Sequence, residues 1–177
     1  MEIRLHVPTY EELLYREMLL ADPQTMSYNR GYDIDSRNYD KSTGAIRFPR
    51  SEWKDWYEYF VGQKTERYYA YIECDGEFVG EVNLHKSKPE RNVFDMGIVV
   101  EAKHRGKGIA KAALIKLLEV AFTEYGIDAV ENEFEPTRHA ALNLHKSAGF
   151  KVIETNGKIV KLMIDRSGYF SLYAIDR

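Results

Sequence analysis

The sequence predicts an α+β fold, one mixed and mainly antiparallel sheet with helices packed on it. Three observations carry that prediction. Segments of period two alternate along the chain with segments of helical period, rather than gathering in separate halves. The dipeptides Asp75-Gly76 and Asn156-Gly157 each join two strand-like runs, and both suit a tight type I′ turn, which makes the flanking strands antiparallel neighbours. The strand-like run 92–100 leads through a basic stretch with two glycines into a long helical pattern.

The elements follow in chain order. Ile3, Leu5 and Val7 alternate with polar residues as a first strand that Pro8 ends; Thr9 with Glu12 forms a capping box for a helix to Leu20, stopped by Asp22-Pro23. Residues 27–49, rich in Tyr, Asp, Asn and Gly, hold neither period and read as a long loop, a class of segment that is usually functional or mobile. Ser51 caps a short helix whose Trp53, Trp56, Tyr57 and Phe60 make one aromatic, core-facing side. The first hairpin comprises RYYAYIEC and EFVGEVNLH. After the basic stretch, Ile109, Ala113, Leu117 and Ala121 with Leu114, Leu118 and Phe122 trace a wide apolar helical stripe, closed by Gly126 as a left-handed cap. Residues 127–134 form a strand with Val130, Asn132 and Phe134 on one face and Glu131 and Glu133 on the other. Pro136 precedes a helix ending at Gly149, KVIET and KIVKLMID make the last hairpin, and the tail GYFSLYAI reads as one more strand.

At 177 residues and 44% hydrophobic content, the chain is sized for a single domain over residues 1–177. A formal net charge of −3 argues against general nucleic-acid binding, which normally needs a basic surface. The single cysteine, Cys74, excludes an internal disulfide, and without CxxC or HxxxH spacing no metal site is expected. No apolar run approaches the ~20 residues of a membrane span, and the N-terminus lacks signal-peptide order, so a cytoplasmic protein with no membrane partner is expected.

The basic stretch is EAKHRGKGIAKAAL, residues 101–114. A strand, a loop and a helix start in this order aim unsatisfied N–H groups and the positive dipole end out of the sheet, which makes an anion site. Gly106 and Gly108 supply backbone freedom there, and Lys103, His104, Arg105, Lys107 and Lys111 add charge. GxxxxGK[ST] is absent, and Lys111 stands where GxGxxG needs its third glycine, so neither a P-loop nor a dinucleotide fingerprint is present.

Arg105, Gly108 and Ala110 match the Arg/Gln-x-x-Gly-x-Gly/Ala signature, and the stretch resembles that of the GNAT N-acetyltransferase superfamily. HAALNLHKSAGFKV resembles the family's later helix, ending in Gly149-Phe150, and the resemblance covers roughly residues 67–155. It implies helices on both faces of the sheet, and a pyrophosphate of acetyl-coenzyme A held by the amides of Arg105, Gly106, Lys107, Gly108, Ile109 and Ala110. It also implies pantetheine beside Ile98, Val99 and Val100, with an amide of Val99 or Val100 polarising the thioester carbonyl. Two positions depart from the family: Arg138 stands where Asn is common, and His145 where a Tyr protonates the leaving thiolate. His145 is then the candidate acid as imidazolium, with water as the alternative; Arg138 is a candidate phosphate contact and Asn143 a candidate pantetheine contact.

Acetyl transfer needs a neutral amine, and freeing the lone pair of an amine of pKa ~10.4 at pH 7 costs about 5 kcal/mol. Candidate bases are Glu81 and Glu133 first, Asp95 third, with His85 and Glu131 on the same strands. In the long loop, Tyr28, Tyr32, Asp33 and Asp35, with Tyr39 and Asp40, combine aromatic faces with negative charge and suit a cationic acceptor, a class that includes polyamines and amino sugars. The reading that follows is direct transfer from acetyl-coenzyme A to a small primary amine. Acetylation of a protein amine, a non-catalytic acyl-coenzyme A sensor and a nucleotide-phosphate binder of another fold are the alternatives, and a homodimer through the C-terminal strand stays open.

Overall fold

The computed structural model describes residues 1–173. Asp75 and Gly76 both take positive φ, 51° and 88°, and the resulting type I′ turn joins β2 (Arg67–Cys74) to β3 (Glu77–Lys86). β1 (Ile3–His6) pairs antiparallel with β2, and β4 (Val93–Val100) pairs antiparallel with β3. β5 (Ala129–Phe134) lies parallel to β4, which requires a crossover, and α4 (Ile109–Glu119) supplies it. β6 (Lys151–Thr155) and β7 (Val160–Asp165) form the second hairpin and complete a seven-stranded sheet in the order β1-β2-β3-β4-β5-β7-β6. The sheet is mixed and mainly antiparallel, as the sequence predicts.

One face packs Val82, Leu84, Phe94, Met96, Val130 and Leu162 against the apolar stripe of α4, with Ile109, Ala113, Leu114, Leu117, Leu118 and Phe122 all buried. α5 (His139–Ser147) joins this side through Leu142 and Leu144. The opposite face carries Tyr69, Tyr71 and Val99 beneath α1 (Leu13–Ala21) and α3 (Trp53–Phe60), where Leu13, Leu20, Phe48 and Trp53 are buried together. The short helix α2 (Pro23–Met26) follows α1 directly, capped by Asp22, whose carboxylate accepts from the N–H groups of Gln24 and Thr25.

Three local expectations are corrected. Only half of the capping box forms: the Glu12 carboxylate accepts from the Thr9 N–H at 2.8 Å and from His6, and α1 begins at Leu13. Ser51 lies inside a 3-10 turn, Arg50–Glu52, instead of capping α3. The tail is not a strand: Arg166–Tyr173 form helix α6, with the Asp165 carboxylate accepting from the Gly168 N–H at 2.6 Å. Tyr169 is buried there against Phe122, with ring centroids 5.0 Å apart, so tertiary packing outweighs the aromatic β-propensity of the segment. Residues 174 and 175 of that expected strand lie outside the described residues. No helix among the described residues is long and apolar enough to cross a membrane.

The feature that positions the site is a split in the sheet. β4 and β5 pair only through Val93↔Ala129, Phe94↔Val130 and Asp95↔Glu131. Beyond these pairs, β4 continues with β3 to Val100 and β5 continues with β7 to Phe134, so a wedge opens between them.

Candidate active site

The wedge carries unpaired backbone groups of one strand edge. The Glu101 N–H donates to Val79 O and the Val93 carbonyl accepts from Ser87, so odd-numbered residues of this segment face β3. By strand alternation, the backbone groups of Met96, Ile98 and Val100 face the wedge. Of the two amides expected to act on a carbonyl, that of Val100 is on the wedge side, whereas that of Val99 belongs to the β3 ladder.

At the wide end of the wedge, a 3-10 turn at Ala102–His104 leads into Gly106 and Gly108, with φ of 75° and 81°, and Gly108 is the N-cap of α4. A Cβ built at either glycine would meet no protein atom within 4 Å, so backbone conformation rather than crowding demands glycine there. The amides of a helix start and the two glycines thus lie on an open surface, a fit for an anion such as pyrophosphate. The Arg105 side chain points back into the fold, where its Nε donates to Val100 O at 3.1 Å and its Nη2 to Thr25 O. Thr25 completes this brace, its hydroxyl accepting from the Ala102 N–H at 3.0 Å and donating to Asp22. Lys103 pairs with Glu101 at 2.9 Å, while Lys107 is exposed on the loop.

His145 is buried at the throat of the wedge, and its hydrogen bonds correct the role expected of it. Nδ1 is 2.7 Å from the Ala141 carbonyl and must donate to it, while Nε2 is enclosed by the Asn132 amide nitrogen at 3.0 Å and Met96 Sδ at 3.2 Å. Burial pushes the ring's pKa below the ordinary value, only partly opposed by the Ala141 carbonyl. With Nδ1 bound to the Ala141 carbonyl and Nε2 enclosed by Asn132 and Met96, the ring holds Asn132 in place and is poorly placed for the imidazolium-acid role. Arg138 lines the cavity, but its guanidinium donates to Glu135 at 2.6 Å and to the Tyr28 carbonyl at 3.0 Å and lies 4.1 Å from the Tyr32 ring centroid. It fastens the long loop to the β5–α5 junction, assisted by the Tyr32–Thr137 hydroxyl pair at 2.7 Å. Asn143 is exposed on α5, away from the cavity lining.

A cavity of about 1150 Å³ spans both sides of the wedge. On its α1 side, Glu81 is 5% exposed, with both carboxylate oxygens accepting from Arg16 Nη1 and one also from the Tyr69 hydroxyl. Burial opposes the charge on Arg16, but Glu81 and Tyr69 more than offset that, and the guanidinium pKa is raised. Burial and then Glu81 push the Tyr69 phenol well above its ordinary value, so it stays a donor. Glu81 is thereby occupied and poorly placed to take a proton. Glu133 lines the same cavity, exposed, and among the described residues makes no salt bridge. Asp95 does not reach the cavity; it sits 3.8 Å from His85, and Glu131 is buried against Lys161 at 2.6 Å.

The loop residues divide. Tyr28, Tyr32 and Asp33 line the cavity, whereas Asp35 does not. The Asp33 carboxylate turns outward, 95% exposed and 2.6 Å from Lys41, and Asp40 accepts from Ser42 and Thr43 in a local turn. The acidic lining expected from the sequence is therefore not assembled. Arg16 is the residue that sequence reasoning misses, although its position is legible: it falls between Leu13 and Leu20 on the buried face of α1, where a charged side chain needs a partner inside. Among the described residues no three His, Cys, Asp or Glu side chains converge as metal ligands.

A sequence description of the acetyltransferase (GNAT) family matches residues 28–150. The chain is 25% identical over 136 residues to an uncharacterized SPbeta prophage-derived N-acetyltransferase of Bacillus subtilis, covering 76% of this chain and 72% of that one. It is 25% identical to the spermidine N(1)-acetyltransferase of Escherichia coli over 57% of this chain and 54% of the relative, and 28% identical to an Escherichia coli L-amino acid N-acetyltransferase over 60% and 65%. Among solved structures, a spermidine N-acetyltransferase from Vibrio cholerae in complex with CoA and spermine superposes with a TM-score of 0.73 at 16% identity, covering 95% of this chain and 98% of that one.

Proposed function

The chain belongs to the acetyltransferase (GNAT) family, and from that premise we propose that it moves an acetyl group from acetyl-coenzyme A directly onto the primary amine of a small molecule, in a ternary complex within a single 1–177 domain. The observation that carries this reading is the wedge between β4 and β5, open on both faces of the sheet through one cavity. Bound acetyl-coenzyme A supplies the activated acyl group. The amides of Gly106 to Ala110 are the residues that would hold its pyrophosphate, and the Ile98 and Val100 backbone would hold its pantetheine arm. The Val100 N–H is a donor for the acyl oxygen as charge develops there.

The acceptor enters from the α1 side, where Glu133 is the open carboxylate at the wedge and takes the amine proton, directly or through water. Water, not His145, returns a proton to the leaving thiolate, because both imidazole nitrogens are engaged inside the fold, by Ala141 and by Asn132 and Met96. Cys74 is half-buried beside the Asp75-Gly76 turn at the far end of β2, which supports transfer without an acyl-cysteine.

The test is to incubate the protein with acetyl-coenzyme A and an amine panel spanning polyamines, amino acids and amino sugars, following free thiol. Thiol release with an acetylated small amine is the expected result. Coenzyme A binding without thiol release from any acceptor would replace the enzyme with a sensor.

A further inference from the structure

We propose that Arg16 sets acceptor specificity, and that the acceptor carries a carboxylate beside its amine, as an amino acid does. This rests on the acetyltransferase reading and assigns the half of the site that the reading leaves blank.

Among the described residues, every hydrogen bond of the Arg16 side chain leaves from Nη1, to Tyr69 and to the two oxygens of Glu81. Its Nε is buried with no partner, and among the described residues Nη2 bonds to nothing. A planar guanidinium offers five donors, and a buried donor left unsatisfied is costly. The side chain cannot swing to find other partners. Its guanidinium carbon lies 4.4 Å from the Trp56 ring centroid, 5.2 Å from Phe48 and 5.4 Å from Tyr69, and Glu81 holds the far nitrogen. The group is a fixed cation, 15% exposed, lining the acceptor side of the cavity; its unused Nη2 is the open donor, with the unpartnered Nε buried behind it.

Planar N–H donors in this arrangement match a carboxylate better than any other common small-molecule group. The remaining wall agrees. Leu20, Met26, Ile34 and Ile46 are apolar, Asp33 faces Lys41 outside, and the Tyr28 and Tyr32 rings already carry the Arg138 guanidinium, so they are taken as partners for a second ammonium group. Glu81 then acts as a positioning residue: it fixes Arg16 and lowers the net charge enough for the guanidinium to stay buried. Arg16 and Glu133 line one cavity, so an acceptor would set its carboxylate on Arg16 and turn its amine toward Glu133.

The test compares matched acceptors on the intact protein at saturating acetyl-coenzyme A: a set of L-amino acids, their carboxamides, and the amines lacking the carboxyl group. The expected result is a kcat/KM for the amino acids about 10- to 150-fold above their carboxamides, the range of a hydrogen bond to a charged group. Arg16→Lys keeps the positive charge opposite Glu81 but removes the planar donors, and should shrink that ratio to within about 5-fold while acetyl-coenzyme A binding is unchanged. Carboxamides or polyamines turning over as well as or better than the amino acids would overturn this inference and leave the transferase reading standing. An unchanged ratio in Arg16→Lys would also overturn it. Absence of thiol release from every acceptor would refute the transferase reading itself, and this inference with it.

Discussion

Replacing Gly108 isolates the contribution of backbone shape to cofactor binding. The residue sits at φ 81° as the N-cap of α4, and a Cβ there would touch no protein atom, so Gly108→Val introduces conformational strain without a clash. An L-residue held in the left-handed region costs about 1–2 kcal/mol, and a β-branched one lies at the upper end. The loop relieves this by rotating toward negative φ, which turns away the amides that follow. Losing one N–H bond to a charged phosphate costs about 1.5–3 kcal/mol, so the coenzyme A Kd should rise about 10- to 150-fold. Lys107→Ala removes one exposed charge from the same loop. Its cost should stay below about 1 kcal/mol, a factor of five or less, and shrink as salt is added. Isothermal titration of coenzyme A at low and high salt reads both effects, with thermal melts to show that each variant is folded. A larger loss in Lys107→Ala than in Gly108→Val would refute the reasoning, because charge and not amide geometry would then hold the cofactor.

Other expectations concern the wedge and its surroundings. Glu133→Gln should lower kcat about 10²- to 10⁴-fold with coenzyme A affinity unchanged, as a lost general base would, and an unaffected kcat would move the base elsewhere. Burial raises the Asp95 pKa, so the folded state binds its proton more tightly than the unfolded chain does, and stability is lost as pH rises from the unfolded value through the folded one. Asp95→Asn should therefore melt slightly higher at neutral pH, by less than about 1 kcal/mol, with the difference vanishing below the free-chain value of ~3.9. For His145→Gln, the pH–rate profile should keep its shape, since both ring nitrogens are engaged inside the fold, by Ala141 and by Asn132 and Met96. An imidazolium acid would instead show activity falling as pH rises through its pKa, and loss of that limb in the variant would restore the role. Arg138→Ala should raise the amine KM and speed amide exchange over residues 28–32 while leaving coenzyme A affinity intact; a weakened affinity would return Arg138 to the phosphates.

The parts of this molecule written in local chemistry are readable from the chain. Asp75-Gly76 can hardly be anything but a type I′ hairpin, and Gly108 before an apolar stripe announces a helix start open to an anion. What resists reading depends on which way a side chain turns once distant segments meet. Asp33 faces Lys41 instead of the cavity, and Arg105 and Arg138 direct their donors to carbonyls of the segment 25–28 and to Glu135. The tail is a helix because Asp165 caps it and Phe122 covers Tyr169, neither visible in a window of eight residues. Glu81 stands out in the chain for its strand position alone, and its occupation by Arg16 follows only once α1 is known to cross above β3.

An unpaired strand edge is ordinarily a hazard, since a row of vacant N–H and C=O groups invites another chain to add itself. The inner edge of β4 keeps such a row inside the molecule, the Val100 carbonyl apart, which Arg105 takes, walled by α4 on one side and the α1–α2 segment on the other. A chain-like ligand with amide groups can therefore be received as though it were a missing strand. The amides of Ile98 and Val100 should then change from fast to slow hydrogen exchange when the cofactor binds, without any rearrangement of the strand that carries them.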